Sequence, residues 1–131
     1  MVCPASGGQQ VHGHHGELQR SATLKEQNPV IQVIGVQSIE GCQIPGMQTW
    51  SPYYLPPIYE TKFIDDVVEI SPALAHETAR RLSQEEGIFA GISSGAAVAA
   101  ALRIGRRVEN AVIATIAFDR GERYLSTGLY D

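Results

Sequence analysis

Apolar residues in this chain fall into short β-branched runs separated by stretches with helical spacing. Ile31-Gln32-Val33-Ile34-Gly35-Val36, ending at Gln37-Ser38, predicts a buried strand. Val67-Val68-Glu69-Ile70 predicts a second, Ile88 to Ile92 a brief third, and Ala111 to Ala117 a last one. Upstream of the first run, Leu24 to Pro29 reads as a helix end, because the residue before proline is pushed out of the α region. Ser71-Pro72 opens a helix, with serine as N-cap and proline at the first helical position. Leu74, Thr78 and Leu82 share a face with Ala75 and Ala79, and Glu77 is spaced to pair with Arg81 on the outer face. Gly87 ends that helix. Ser93-Ser94 caps a second one running through Ile104 and closed by Gly105. Strand and helix alternate, so the expected fold is α/β, with a mostly parallel sheet covered on both faces.

Two stretches lie outside this rhythm. Residues 1–23 show no period of 2 or 3.6 and are expected to form an irregular arm. Their run His12-Gly13-His14-His15 lacks partner ligands at suitable spacing, so no metal site is expected. Residues 39–62 are rich in glycine, proline and aromatics, including Gly41, Pro45, Gly46, Trp50, Tyr53 and Tyr54. A long loop of varied composition inside a compact domain tends to carry function.

Composition narrows the field. At 131 residues, with 44% hydrophobic and 18% charged, the chain fits one globular domain. A net charge of −4 argues against a general nucleic-acid binder. The longest apolar run, Ala96 to Leu102, is far too short to span a bilayer. No basic segment followed by an apolar core opens the chain, so a cytoplasmic location is expected, with no membrane partner. Cys3 and Cys42 sit in no metal or redox spacing.

The sharpest local signal is Glu86-Gly87-Ile88-Phe89-Ala90-Gly91-Ile92-Ser93-Ser94-Gly95-Ala96-Ala97. It reads as a strand, a tight turn with two hydroxyls, and a helix N-terminus. Such a turn aims N–H groups and a hydroxyl at the space beyond the strand's carboxyl end, where ligands of parallel sheets bind. A pair of serines there also fits a plain helix cap.

Three separated segments favour the first of these readings by resemblance. They are Ile44-Pro45-Gly46-Met47-Gln48-Thr49-Trp50, the Gly87 to Gly95 motif, and Phe118-Asp119-Arg120-Gly121-Glu122-Arg123-Tyr124-Leu125-Ser126-Thr127-Gly128. In this order, and with Lys25 to Gln37, they resemble the cysteine synthase B (O-acetylserine sulfhydrylase B) branch of the fold-type II pyridoxal-phosphate family. The resemblance covers residues 24–131. It implies the C-terminal part of the pyridoxal-phosphate-binding domain: a partial doubly wound parallel sheet with flanking helices.

The resemblance implies a chemistry as well. The family's reaction makes L-cysteine from O-acetylserine and sulfide by β-elimination and replacement, with pyridoxal 5′-phosphate as cofactor and a small amino acid as substrate. By the motif match, Ser93 bonds the cofactor's pyridine nitrogen, and a neutral hydroxyl there leaves that nitrogen largely unprotonated. Gly46 and Trp50 fall in the loop lining the substrate entrance. Asp119 and Tyr124 are weaker candidates, for which structural roles are expected over catalytic ones. Siblings that share the superfamily, the cystathionine synthases and the serine or threonine dehydratases, are alternatives. So is a non-enzymatic remnant acting as an interaction module.

The chain also departs from the family. Its only lysines are Lys25 and Lys62, and neither sits in the family's Schiff-base motif. The carboxylate-binding loop is absent. The phosphate loop should fall before Thr23, where the chain reads Gly7-Gly8-Gln9-Gln10-Val11-His12-Gly13-His14-His15-Gly16 without the family's threonines. Translating the coding DNA of this stretch in another frame is expected to yield that loop. Phe118 replaces a frequent cysteine, and Gln48-Thr49 replace frequent basic residues. The chain is therefore expected to be inactive alone and, with apolar faces uncovered, to form homo-oligomers or dissolve poorly.

Overall fold

The computed structural model describes residues 2–4, 21–47 and 64–131. Trp50, Lys62 and the histidine run lie outside these residues. The described strands are β1 (Val2–Pro4), β2 (Ile34–Ser38) and β3 (Asp66–Ile70), in the order β1-β2-β3 and all parallel. The register aligns Ile34 with Val2 on one side and with Asp66 on the other. Helix α1 includes residues 21–27. Helices α2 (Pro72–Glu86) and α3 (Ile92–Gly105) follow β3, and a 3₁₀ helix (Gly121–Thr127) lies near the end of the chain. The α/β class and the parallel sheet expected from the hydrophobic pattern are both present.

Helix α2 forms for the reasons written in its sequence. The Ser71 hydroxyl accepts the Leu74 N–H at 3.3 Å, and Pro72 occupies the first turn where no N–H is needed. Gly87 closes the helix at φ 69°, a left-handed conformation that glycine adopts without a Cβ penalty. Ala75, Thr78 and Ala79 form its buried stripe. The outer face differs from expectation: Arg81 forks onto Glu85, Nε at 2.7 Å and Nη2 at 3.1 Å, and not onto Glu77. Both carboxylates are one turn from Arg81, and the two-pronged geometry is met on the Glu85 side.

From Ile92 to Ala100 helix α3 is buried nearly all round, as an apolar helix in a domain interior should be. Its small residues allow close approach. A Cβ on Gly95 would stand 2.2 Å from the Ala75 carbonyl oxygen and 2.8 Å from the Ala79 Cβ, so α2 and α3 touch backbone to backbone there. On its other side α3 meets all three strands. The core is Ile34, Val36, Val68 and Ile70 from the sheet, Ala75 and Ala79 of α2, Ala96, Ala97, Ala99 and Ala100 of α3, and Ile44, Met47, Ile92 and Leu129.

Several expected elements form differently. Val2–Pro4, inside the stretch expected to be an irregular arm, pairs with β2, because the open edge of β2 accepts any extended segment. The first predicted strand is shifted, starting at Ile34 and running through Ser38. Residues 88–92 make no strand; Ala90 forms one antiparallel bridge with Arg120, and Ile92 already belongs to α3. Ser93 and Ser94 accordingly lie inside the first turn, with Gly91 as the N-cap. Residues 111–117 show a single bridge position, at Thr115, and no strand among the described residues. Val112 in this run is 97% exposed. A β-branched run becomes a strand only where a neighbour supplies its ladder.

Candidate functional site

The site is built where β2 and β3 end and α3 begins. After β2 the chain turns through Ile44 to Met47, both buried, which pins the turn to the core. Gly46 at its tip has φ 83°, a conformation that favours glycine. A Cβ there would come 3.6 Å from the Cβ and 3.7 Å from the Oγ of Ser93, so the turn lies directly against that serine. The structure thus brings together two of the residues singled out from sequence. The third, Trp50, is outside the described residues.

The two serines of α3 divide their work. Ser94 is buried, and its hydroxyl accepts the Phe118 N–H at 3.0 Å, tying the chain's last segment to the helix. Ser93, only 4% exposed, has its hydroxyl 3.5 Å from Oδ1 of Asp119. The Tyr124 hydroxyl donates to the other oxygen, Oδ2. Burial, then the Asp119 carboxylate, push the Tyr124 phenol well above its usual value. The Tyr130 phenol is raised by burial first and by Asp119 second, and its hydroxyl donates to the Ala90 carbonyl. Both phenols therefore keep their protons at neutral pH.

Asp119 and Tyr124, the weaker site candidates, stand beside Ser93. The signal for their position lay in the glycines. Gly91 has no room for a side chain because the Asp119 carboxylate fills it, and Gly121 has none because the Phe89 ring does. Backbone bonds from Gly91 N–H to Asp119 O at 3.0 Å and from Gly121 N–H to Phe89 O at 3.1 Å lock the segments together.

The lysines stand elsewhere. Lys25 is bonded through Nζ to both oxygens of Asp65 at 2.5 Å, at the edge where β3 starts. The Gly46 turn leaves from the edge where parallel β2 ends. Among the described residues no cluster of three metal-ligating side chains occurs, and no helix is long and apolar enough to cross a membrane.

Comparison with known proteins decides the family. The family described as pyridoxal-phosphate dependent enzyme matches residues 1–119. The chain belongs to that family. Cysteine synthase B of Pseudomonas aeruginosa is 53% identical over 111 residues, covering 85% of this chain and 37% of the relative. The crystal structure of cysteine synthase from Entamoeba histolytica superposes with a TM-score of 0.73 at 34% identity, covering 84% of this chain and 35% of that one. The structure of an O-acetylserine dependent cystathionine β-synthase from Helicobacter pylori gives 0.74 at 31% identity, over 99% of this chain and 44% of that one. The chain thus spans little more than a third of the length of the cysteine synthase B relatives it matches. It is a fragment of a fold-type II pyridoxal-phosphate enzyme, as the motifs implied.

The family binds pyridoxal phosphate, and the described hydroxyl that the motif match assigns to it is Ser93, buried at a helix start with the Gly46 turn against it. No described lysine amine stands beside Ser93.

Proposed function

We propose that this chain supplies the ring-nitrogen side of a cysteine synthase B site and acts only with a lysine-bearing counterpart. The observation that carries this reading is Ser93, buried at the start of α3 under the Gly46 turn, with no lysine amine beside it among the described residues. Pyridoxal phosphate, when bound, supplies the electron sink that stabilises a carbanion on an amino-acid substrate. Ser93 meets its ring nitrogen, the Gly46 turn lines the approach to it, and the Ser94 bond to Phe118 holds the surrounding segments in place. The substrate is a small amino acid, O-acetylserine, with sulfide as the incoming nucleophile. The name of the Helicobacter pylori neighbour also specifies O-acetylserine dependence, which supports the same donor; its product, cystathionine, is the second reading. A cytoplasmic setting suits both.

A Schiff-base lysine needs a depressed pKa in a desolvated pocket. Lys25 is instead bonded through Nζ to the Asp65 carboxylate, at the strand edge opposite the Gly46 turn. We expect the chain alone to be inactive, because neither Lys25 nor Lys62 sits in the family's Schiff-base motif. Incubation with pyridoxal phosphate, borohydride reduction and peptide mass spectrometry is the test. No site-selective adduct and no cysteine from O-acetylserine and sulfide is the expected result. A single adduct on Lys25 or Lys62 with cysteine formation would refute it. Adding the lysine-bearing portion of the Pseudomonas aeruginosa relative tests the other half of the reading: cysteine formation should appear with wild-type chain and fall with Ser93→Ala.

A further inference from the structure

The chain reaches α3 through residues 88–91, which form no strand and are held by three separate parts of the molecule. The Ile88 N–H donates to the Leu82 carbonyl of α2 at 3.1 Å. At the Ala90–Arg120 bridge the bonds are made by the flanking residues, Gly121 N–H to Phe89 O and Gly91 N–H to Asp119 O. In a bridge of that type the central residue's own carbonyl points away from its partner. Ala90 is 2% exposed, so its oxygen needs a donor from within the protein. The Tyr130 hydroxyl is that donor, from forty residues further along the chain. Two further contacts deliver it there. Leu129, next to it, is buried in the core, and the Tyr130 ring packs on the Phe89 ring with centroids 4.6 Å apart, tilted by 51°. The Phe89 ring in turn fills the space that a side chain at Gly121 would need.

We propose that Tyr130 is a positioning residue for the start of α3: by holding the buried Ala90 carbonyl it fixes the turn that sets Ser93 in place. Ala90 precedes the N-cap, Gly91, whose carbonyl accepts a bond from the Gly95 N–H at 3.1 Å in the first turn of the helix. A shift of Ala90 therefore carries that turn with it, and Ser93 moves relative to the Gly46 turn against it. The segment after the 3₁₀ helix thus acts on the site from outside it. The consequence for cofactor binding rests on the reading of Ser93 given above; the fixing of the turn does not.

Tyr130→Phe removes the hydroxyl and keeps the ring on Phe89. Residue-resolved amide hydrogen exchange, followed by NMR on the full chain, reads the effect on the turn. The Gly91 and Gly95 N–H groups should exchange about tenfold faster, because a buried carbonyl has lost its donor. The Ala75 N–H, bonded to the Ser71 carbonyl in the first turn of α2, should keep its rate. Ser71→Ala is the control and should do the reverse. Unchanged rates at Gly91 and Gly95 would overturn the proposal, and so would equal acceleration at all three amides, which would make Tyr130 a general stabiliser. A second readout asks whether Tyr130 acts through Ser93. In the assembly with the lysine-bearing portion of the Pseudomonas aeruginosa relative, Tyr130→Phe should raise the pyridoxal phosphate concentration that half-saturates cysteine formation. Combined with Ser93→Ala it should add nothing to the effect of Ser93→Ala alone. Effects that multiply in the double variant would overturn the positioning role. Ser93→Ala without effect there would refute the reading of Ser93 instead, a result that the exchange rates cannot imitate.

Discussion

Gly91 and Asp119 are two halves of one fit: a Cβ on Gly91 would stand 2.1 Å from Oδ1 and 2.5 Å from both Cγ and Oδ2 of Asp119. The backbone at Gly91, φ −76° and ψ 178°, suits any residue, so the requirement for glycine is steric. Gly91→Ala should expel the carboxylate from the start of α3 and destabilise the chain by about 1–3 kcal/mol, as overpacking does. Urea denaturation measures this. In an Asp119→Ala background the same substitution should cost much less, because the clash has been removed, and the double-mutant cycle reads that coupling.

Gly95 and Gly105 sit in the same helix and should behave oppositely. A Cβ on Gly95 meets the Ala75 carbonyl oxygen at 2.2 Å and the Ala79 nitrogen at 2.8 Å, backbone atoms that cannot turn aside. Gly95→Ala should force α2 and α3 apart and lower the thermal midpoint. At Gly105 the nearest atom to such a Cβ is the flexible Ile113 Cδ1 at 3.6 Å. Gly105→Ala should be tolerated or stabilising, since alanine is the better helix former by about 1 kcal/mol. Equal losses at the two sites would contradict the close packing of α2 on α3.

Ser71 caps α2 through its bond to the Leu74 N–H. Ser71→Ala leaves that N–H without its partner and should cost about 1 kcal/mol, while Ser71→Asp should retain most of the cap. Chemical denaturation of the two variants separates the effects.

What could be read from sequence followed from local chemistry. The Ser71-Pro72 start and Gly87 end of α2 are set by the cap and by backbone conformation, both local, and they appear where the sequence places them. Ser93 and Gly46 were marked by motif resemblance, and the fold sets them against each other. What depended on distant partners was not legible. Residues 111–117 have a strand's composition, but a strand also needs a run of paired neighbours, and only Thr115 of this run takes a bridge position. The position of Asp119 beside Ser93 depends on room left at Gly91, 28 residues earlier, which no local pattern displays.

Exposed apolar side chains give a prediction about assembly. Val112, Leu125, Leu102 and Ile88 are all at least 47% exposed. We expect concentration-dependent self-association, weakened when Val112 is replaced by lysine, because that exposed apolar position then carries a charge. Sedimentation velocity across a concentration series checks it; a concentration-independent monomer in wild type would sink it.

The Lys25–Asp65 pair makes stability depend on pH in one direction. The Lys25 ammonium, bonded to the carboxylate, and then the Val33 N–H at 2.7 Å hold Asp65 below the usual carboxylate range. The folded value is lowered, so the contribution is present above the unfolded value of about 3.9 and is lost as pH falls through the folded value. The pair is partly solvated, which limits it to about 1 kcal/mol or less. Asp65→Asn keeps an acceptor for the Val33 N–H but gives up the charge. The variant should be less stable than wild type at pH 7, and the difference should shrink as the solution is taken below about pH 4. Denaturant midpoints of both proteins between pH 7 and pH 3 measure this. A difference that stayed constant over the range would show that the ion pair is not what joins α1 to the start of β3.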